Sequence, residues 1–357
     1  MAISTSLTKR LGLRNPIMLA GMGHVSGPAL AAAVSNAGGL GVIGGVGYTP
    51  EMLQDMIAEL KANLNSPDLP FGVDILLPQV GGSARKTNYD YTNGKLGELV
   101  DVIIKGGAKV FVSAVGVPPR FVVEKLHAAG VLYMNMVGHP KHVAKACNAG
   151  ADMICAQGGE GGGHTGETPT SVLVPACADI CKRYISPLTG EPVALVAGGG
   201  IADGRGVAAV LMLGAQAVWI GTRFVTANES GAPEDAKRGI LDAGFDSTIK
   251  STIWTGRPLR NLKTEYVRHW EEERQEELKA LQAKGILPLD YDLDRLANED
   301  KLTDEIQDQS AMRPMGVAAA LVNKEGQSAE EIVEEIVSEA YACLKSAQGL
   351  LSPQAKL

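Results

Sequence analysis

Short runs of apolar and β-branched residues recur along the first two-thirds of the chain. They fall at Ile17 to Ala20, Leu40 to Ile43, Phe71 to Leu76, Val110 to Ser113, Leu132 to Val137, Met153 to Gln157, Val193 to Ala197 and Ala217 to Ile220, and they read as eight strands. Between them the period changes. Val143, Ala146 and Cys147, and later Val207, Val210 and Leu211, put apolar side chains on one face at helical spacing, as covering helices do. Ala37-Gly38, Gly106-Gly107, Ala129-Gly130, Ala149-Gly150 and Leu213-Gly214 each stand between a helical stretch and the next strand. A glycine in the left-handed conformation just past a helix end is the expected stop signal there. Eight β-α units predict a closed parallel barrel, an α/β fold; a doubly wound sheet uses the same units and stays open as the alternative.

The rhythm stops after Phe224. From Thr264 to Ser310 the chain carries fourteen acidic and six basic residues, a net charge of −8, against +1 for the rest, so this stretch reads as a different module. Its charge-rich run, Glu271 to Lys284, reads as the solvated face of a helix. Near the end, Ile332, Ile336 and Ala340 recur at helical spacing behind Ser328, an N-cap signal followed by acidic residues. A helix over Ser328 to Ala347 that packs back on the barrel is expected.

Composition narrows the function classes. With 45% hydrophobic and 20% charged residues the chain of 357 is globular, neither disordered nor a coiled coil. Its 43 glycines exceed the ~7% norm, which implies many tight turns or ligand-hugging loops. A net charge of −7 without any basic stripe interleaved with aromatics argues against nucleic acid as a partner, leaving a small molecule as the expectation. Five cysteines without a secretion signal point to a reducing, cytoplasmic compartment. The early apolar run, Ile17 to Ala20, has four residues, too few for a signal peptide or a membrane span. The ending Ala355-Lys356-Leu357 resembles the peroxisomal S-K-L address, which would apply in a eukaryote; a chance ending is the equal alternative.

In a parallel barrel the ligand lies at the C-terminal ends of the strands. The seventh strand runs into Ala197 to Gly204, including Gly199 and Gly200, and the eighth into Ile220 to Phe224, including Gly221 and Thr222. Paired glycine loops in these places make the usual barrel phosphate site, because backbone N–H groups can approach the oxygens and a helix N-terminus adds partial positive charge; the bland alternative is two tight turns. The sixth strand is followed by the glycine-rich loop Gln157 to Glu167, with Gly161 and Gly162 and with His164 among them. A histidine there, with a pKa near neutrality, reads as a general base. Of the others, His127 and His142 fall on covering helices and His269 in the acidic module, while His24 and His139 sit on strand-end loops that could line a pocket. Cys177 and Cys181 share a helix face, and Cys147 and Cys155 lie within apolar patterns; core packing is expected of them, and no metal-ligand set is evident.

Taken in order, Pro16 to Met22, Asn36 to Gly41, Pro70 to Asp74, the Gln157 to Glu167 loop, Ala197 to Gly204 and Gly221 to Phe224 resemble the nitronate monooxygenase family, formerly the 2-nitropropane dioxygenases. The resemblance implies a (β/α)8 TIM barrel over residues 1–225 with FMN at its mouth. A smaller, mostly helical domain over 226–315 would cover the flavin, and 316–357 would form a C-terminal segment and helix. Gly21 and Met22 would lie beside the isoalloxazine, Gln157, Gly161, Gly162, Gly199 and Gly200 would contact FMN, and Trp219, Ile220, Gly221 and Thr222 would form the phosphate loop. His164 matches the catalytic histidine. Asp74 stands where the family usually has Asn, and a carboxylate there would repel an anionic reduced flavin. The polar stretch from Pro78 to Tyr91 is longer than the family's, with Lys86 and Tyr89 as candidate pocket residues. The implied reaction is oxidation of an alkyl nitronate with O2 to a carbonyl compound and nitrite, with His164 taking the α-proton from a neutral nitroalkane. The same motifs occur in NAD(P)H-dependent flavin reductases of quinones or enoyl thioesters, the second expectation. The oligomeric state stays open, a homodimer being one option.

Overall fold

The computed structural model describes residues 2–351; the Ala355 to Leu357 ending lies outside them. Eight parallel strands form one sheet: β1 (Ile17–Leu19), β2 (Gly41–Gly45), β3 (Phe71–Leu76), β4 (Val110–Ala114), β5 (Leu132–Val137), β6 (Met153–Gln157), β8 (Ala194–Gly198) and β9 (Ala217–Ile220). Their spatial order is β1-β9-β8-β6-β5-β4-β3-β2, and a parallel bridge between Met18 and Leu40 joins the two ends. The ring is a TIM-type barrel, not the open doubly wound sheet. All five glycines read as helix stops have positive φ, from 72° at Gly130 to 105° at Gly214, because a side chain in that conformation would crowd the following carbonyl.

Side-chain alternation divides the barrel into two apolar layers. Met18, Val42, Val110, Val112, Met134, Met153, Cys155, Val196 and Trp219 point inward and pack together. Their neighbours Ile17, Leu19, Ile43, Phe111, Tyr133, Ile154, Leu195, Val218 and Ile220 point outward to the helices. Leu7 and Leu11 of the helix Ser6–Leu11 join the inner cluster. On β3 the outward positions are Phe71, Val73 and Ile75, so the period of two turns Asp74 inward, in register with Gly44 of β2 and Val112 of β4.

Beyond Phe224 the chain adds the antiparallel pair β10 (Thr248–Ser251) and β11 (Leu259–Leu262) and the helices Glu234–Leu241, Glu265–Glu272, Gln275–Lys284, Pro288–Asn298 and Asp304–Ser310. This stretch has its own core of Ile253, Trp254, Leu259, Val267, Trp270, Leu278 and Leu281. The charge-rich run expected to form one helix face is two helices broken at Glu273 and Arg274. Arg274 lies 3.5 Å over the Trp270 ring and pairs with buried Asp292 at 3.0 Å. β11 also pairs with β7 (Gly163–His164), which belongs to the glycine-rich loop after β6. The helix Ala329–Ala347 begins at Ser328 with a capping box to Glu331 and packs on the helices Gly204–Met212 and Pro28–Asn36, back on the barrel as expected. Among the described residues no helix is long and apolar enough to cross a membrane.

Candidate active site

The C-terminal ends of the strands and residues of the 226–315 stretch line one cavity of about 2340 Å³. Gly21, Met22, Asp74, Gln157, Gly161, Gly162, His164, Gly199, Gly200, Trp219, Gly221 and Thr222 all face it. Ile220 does not. Strand alternation turns its side chain outward, where it is fully buried against the helix layer, so its expected place in the phosphate loop reduces to backbone.

The loop after β6 is held by groups distant in sequence. Gln157 Nε2 donates to the carbonyl of His164 at 2.9 Å and to that of Gly162 at 3.3 Å. Glu160 accepts from Thr170 N and Oγ1, and Arg260 donates to the Gly159 carbonyl at 2.9 Å. Gly199 has φ +86°, and a Cβ there would lie 2.8 Å from Gly158 O and 2.9 Å from Gly158 N. Only glycine permits this approach of the β8 loop to the β6 loop.

His164 enters the cavity on β7, and its Nε2 lies 2.9 Å from Thr255 Oγ1. Here the sequence reading needs correction. Burial, and then the charges of Arg257 and Arg85, push the imidazole down to about 4, not near neutrality. His164 is therefore neutral at physiological pH: always free to accept a proton, but a weak base.

Asp74 corrects a second expectation. It is 6% exposed, its Oδ1 has no hydrogen-bond partner, and burial pushes its carboxyl well above the usual carboxylate range. An isolated charge in such a place is too costly, so the group sits there as the neutral acid. It can donate a hydrogen bond, as the amide of Asn can, and the repulsion expected of a carboxylate does not arise.

The remaining candidates separate cleanly. His24 and His139 line the cavity, and so does His142, which the sequence had put on a covering helix. His127 instead lies 2.9 Å from buried Asp152, and His269 pairs with Glu273. Tyr89 faces the cavity. Lys86 does not, because its Nζ donates to the Ala283 carbonyl on the far side. Cys147, Cys155, Cys177 and Cys181 are buried in the apolar layers. Arg85 and Arg257, both at the cavity wall, were missed: single arginines in polar stretches carry no signal in the sequence.

The donor set suits FMN. The neutral, unpartnered carboxyl of Asp74 lines the cavity beside Gly21, where a Cβ would lie 2.3 Å from Asp74 Oδ2, so only glycine lets the two meet there. On the other side, Gly199, Gly200, Gly221 and Thr222 present backbone at the ends of β8 and β9, the usual phosphate position of a barrel.

Comparison with known proteins agrees. A sequence model of the family described as nitronate monooxygenase matches residues 4–339. A (3aS,4S,5R,7aS)-5-hydroxy-7a-methyl-1-oxo-octahydro-1H-indene-4-carboxyl-CoA dehydrogenase of Mycobacterium tuberculosis is 37% identical over 75% of this chain and 68% of its own length. A probable nitronate monooxygenase of Staphylococcus saprophyticus is 31% identical over 75% and 81%. Among solved structures, FabK from Thermotoga maritima superposes with a TM-score of 0.77 at 30% identity, over 98% of this chain and 100% of that one. A nitroalkane oxidase from Streptomyces ansochromogenes gives 0.76 at 26% identity, over 96% and 100%. With the barrel, the glycine loops and His164 in their expected order and the family match spanning nearly the whole chain, this protein belongs to the nitronate monooxygenase family of FMN-dependent oxidoreductases.

Proposed function

We propose that the protein exchanges a hydride between FMN and the β-carbon of an activated carbonyl compound while a proton moves at its α-carbon, and that its substrate class is a coenzyme A thioester. The observation that carries this reading is the cavity. At about 2340 Å³ it exceeds twice the ~300–1,000 Å³ of ordinary ligand sites, leaving room for a nucleotide-bearing substrate beside a flavin. Its rim carries Lys141 and Lys145, and no carboxylate among the described residues pairs with either, which suits a polyphosphate tail. The 37% identical relative is named for a CoA thioester.

Bound FMN supplies the electron exchange itself. The chain's own residues do the rest. His164, neutral and aimed into the cavity, takes the proton from the α-carbon. Gln157 fixes the carbonyl end of His164 and so the direction of the ring. Residues 226–315 act as a cover that excludes water above the site, Gly316 and Ala318 complete the cavity wall, and the helix Ala329–Ala347 packs against the barrel's outer helices.

The test is an anaerobic titration of the holoprotein, followed by flavin absorbance, with butyryl-CoA, then with NADH followed by crotonyl-CoA. Bleaching by the first, or reoxidation by the last, is expected. If no thioester changes the flavin while propyl-2-nitronate bleaches it, the second reading holds: oxidation of nitronates with O2 to a carbonyl compound and nitrite. The family match and the nitroalkane oxidase likeness favour that reading.

A further inference from the structure

Two guanidinium groups meet at the cavity wall beside His164 without a counter-charge. Arg85, on the polar segment after β3, donates from Nη1 to the Gly256 carbonyl at 2.5 Å. Arg257 donates from Nε to Asn88 Oδ1 at 3.2 Å. Both partners are neutral, and among the described residues no carboxylate forms an ion pair with either arginine. The arrangement is built, not incidental: Gly256 sits on Thr87 so closely that a Cβ there would lie 2.0 Å from Thr87 Oγ1, which fixes the turn that carries Thr255 and Arg257. The other groups around His164 do not compensate. Asn88 and Thr255 are neutral, and the Tyr91 phenol is pushed up by burial and by Tyr89, so it stays protonated. Half-buried Arg257 is itself held below its usual value by burial and by Arg85. Arg85 is exposed at the cavity wall and Arg257 half-buried beside it, so two like charges face the cavity side by side, and an anion entering it would offset their repulsion.

We propose that Arg85 and Arg257 form an anion site that takes the delocalised oxyanion of the substrate and holds it against His164. The shared chemistry is a planar, resonance-stabilised oxygen such as a carboxylate, a nitronate or the enolate of a thioester presents, and guanidinium groups match it geometrically. The assignment deepens the proposed function, since an enolate formed at the α-carbon would be the natural occupant. It also eases the weakness of His164 as a base: burial depresses the imidazole most, and an anion between the arginines offsets the further depression that their charges add.

The experiment follows the His164 ring proton by NMR in the holoprotein, assigned by its loss in His164→Asn, as a function of pH. Propionate, at a total concentration that keeps its ionised form saturating throughout the titration, is expected to raise the His164 pKa by about one unit or more, the size of effect expected from an opposite charge within ~4–6 Å, whereas propionamide leaves it at about 4. In Arg257→Leu and in Arg85→Leu the starting pKa is higher and the response to propionate is lost. Should either variant fail to fold, Arg257→Lys, which keeps a charge and loses the planar fork, gives a reduced response. Equal responses to acid and amide, no response to either, or an undiminished response in Arg257→Leu would overturn the proposal. The outcome is independent of the flavin titration: a protein that answers thioesters but not propionate loses the anion site alone, and one that answers propionate but no thioester keeps the site and loses the substrate class.

Discussion

Asp74 offers the sharpest physical test of the barrel mouth, because it buries an ionisable group without a partner. Its carboxyl is pushed well above the usual range by burial alone, whereas in the unfolded chain an Asp titrates near ~3.9. Between those two values the folded protein holds a proton that the unfolded chain has released. Stability then falls as pH rises, with a slope of about 1.4 kcal/mol for each pH unit, the worth of one proton. Below the unfolded value the penalty vanishes. Asp74→Asn keeps the shape and the hydrogen-bonding donor but cannot ionise, so this component disappears. Every other titrating group is common to both proteins and cancels in the difference. Urea unfolding of the flavin-free wild type and variant, followed by circular dichroism at half-unit intervals from pH 4 to pH 7.5, should show near-equal stabilities at the acid end. The advantage of Asp74→Asn should then grow by up to about 1.4 kcal/mol per unit before it levels off at the folded-state pKa. Parallel profiles, or a variant that loses ground as pH rises, would refute the neutral-acid assignment and restore a charged, compensated Asp74.

The other expectations are more direct. His164→Asn should cut turnover of a neutral carbon acid such as nitroethane by roughly 100-fold or more, with much less loss on the preformed nitronate and unchanged flavin content; equal losses on both would make His164 a positioning group. Because its imidazole titrates at about 4, kcat/KM in the wild type should lack any inflection that vanishes in His164→Asn between pH 6 and pH 8. Gly199→Asp should leave the far-ultraviolet circular dichroism of the barrel while FMN is lost, since any Cβ there meets Gly158 O at 2.8 Å and a carboxylate repels the phosphate; full flavin content in the purified variant would remove this loop from the phosphate site. Trp270→Ala, which empties a fully buried position and strands Arg274 above it, should cost about 3–5 kcal/mol in denaturant titration, and a loss below about 1 kcal/mol would show that the 226–315 core tolerates the void.

What could be read from the sequence was local. Each barrel strand is a contiguous, mostly apolar run, and each stopping glycine stands beside its helix, so periodicity and turn chemistry located both to within a residue or two. Asp74 was readable as an inward residue, because Val73 and Ile75 flank it at the outward positions. Its protonation was not, since that depends on Gly21, Gly44 and Val112 closing over it from three other strands or their loops. Ile220 failed for the reverse reason: a motif assigns a whole loop to a ligand, while alternation splits it between Trp219 and Gly221 on one side and Ile220 on the other. The polar segment after β3 drew attention to Lys86. A shift of one residue gives the cavity to Arg85 and sends Lys86 to Ala283, a distinction that only the folded turn makes.

The environment of His164 belongs to the same class of non-local effect, and it ties the two parts of the molecule together. The histidine is carried by a barrel loop, yet β11 pairs with it directly, Leu259 opposite His164, and Thr255 from the same stretch faces its Nε2. Two residues of strand are too short to leave a pattern in the sequence, so the junction could not be foreseen. Once formed, it makes the orientation of the imidazole a joint property of the β6 loop and of the 226–315 stretch, and it brings Arg257 within range to lower further a proton affinity that burial already depresses. A change that loosens the Trp254 and Trp270 core therefore has two routes to the chemistry. It lowers the stability of that stretch, and it loosens the strand pairing that helps aim His164 into the cavity.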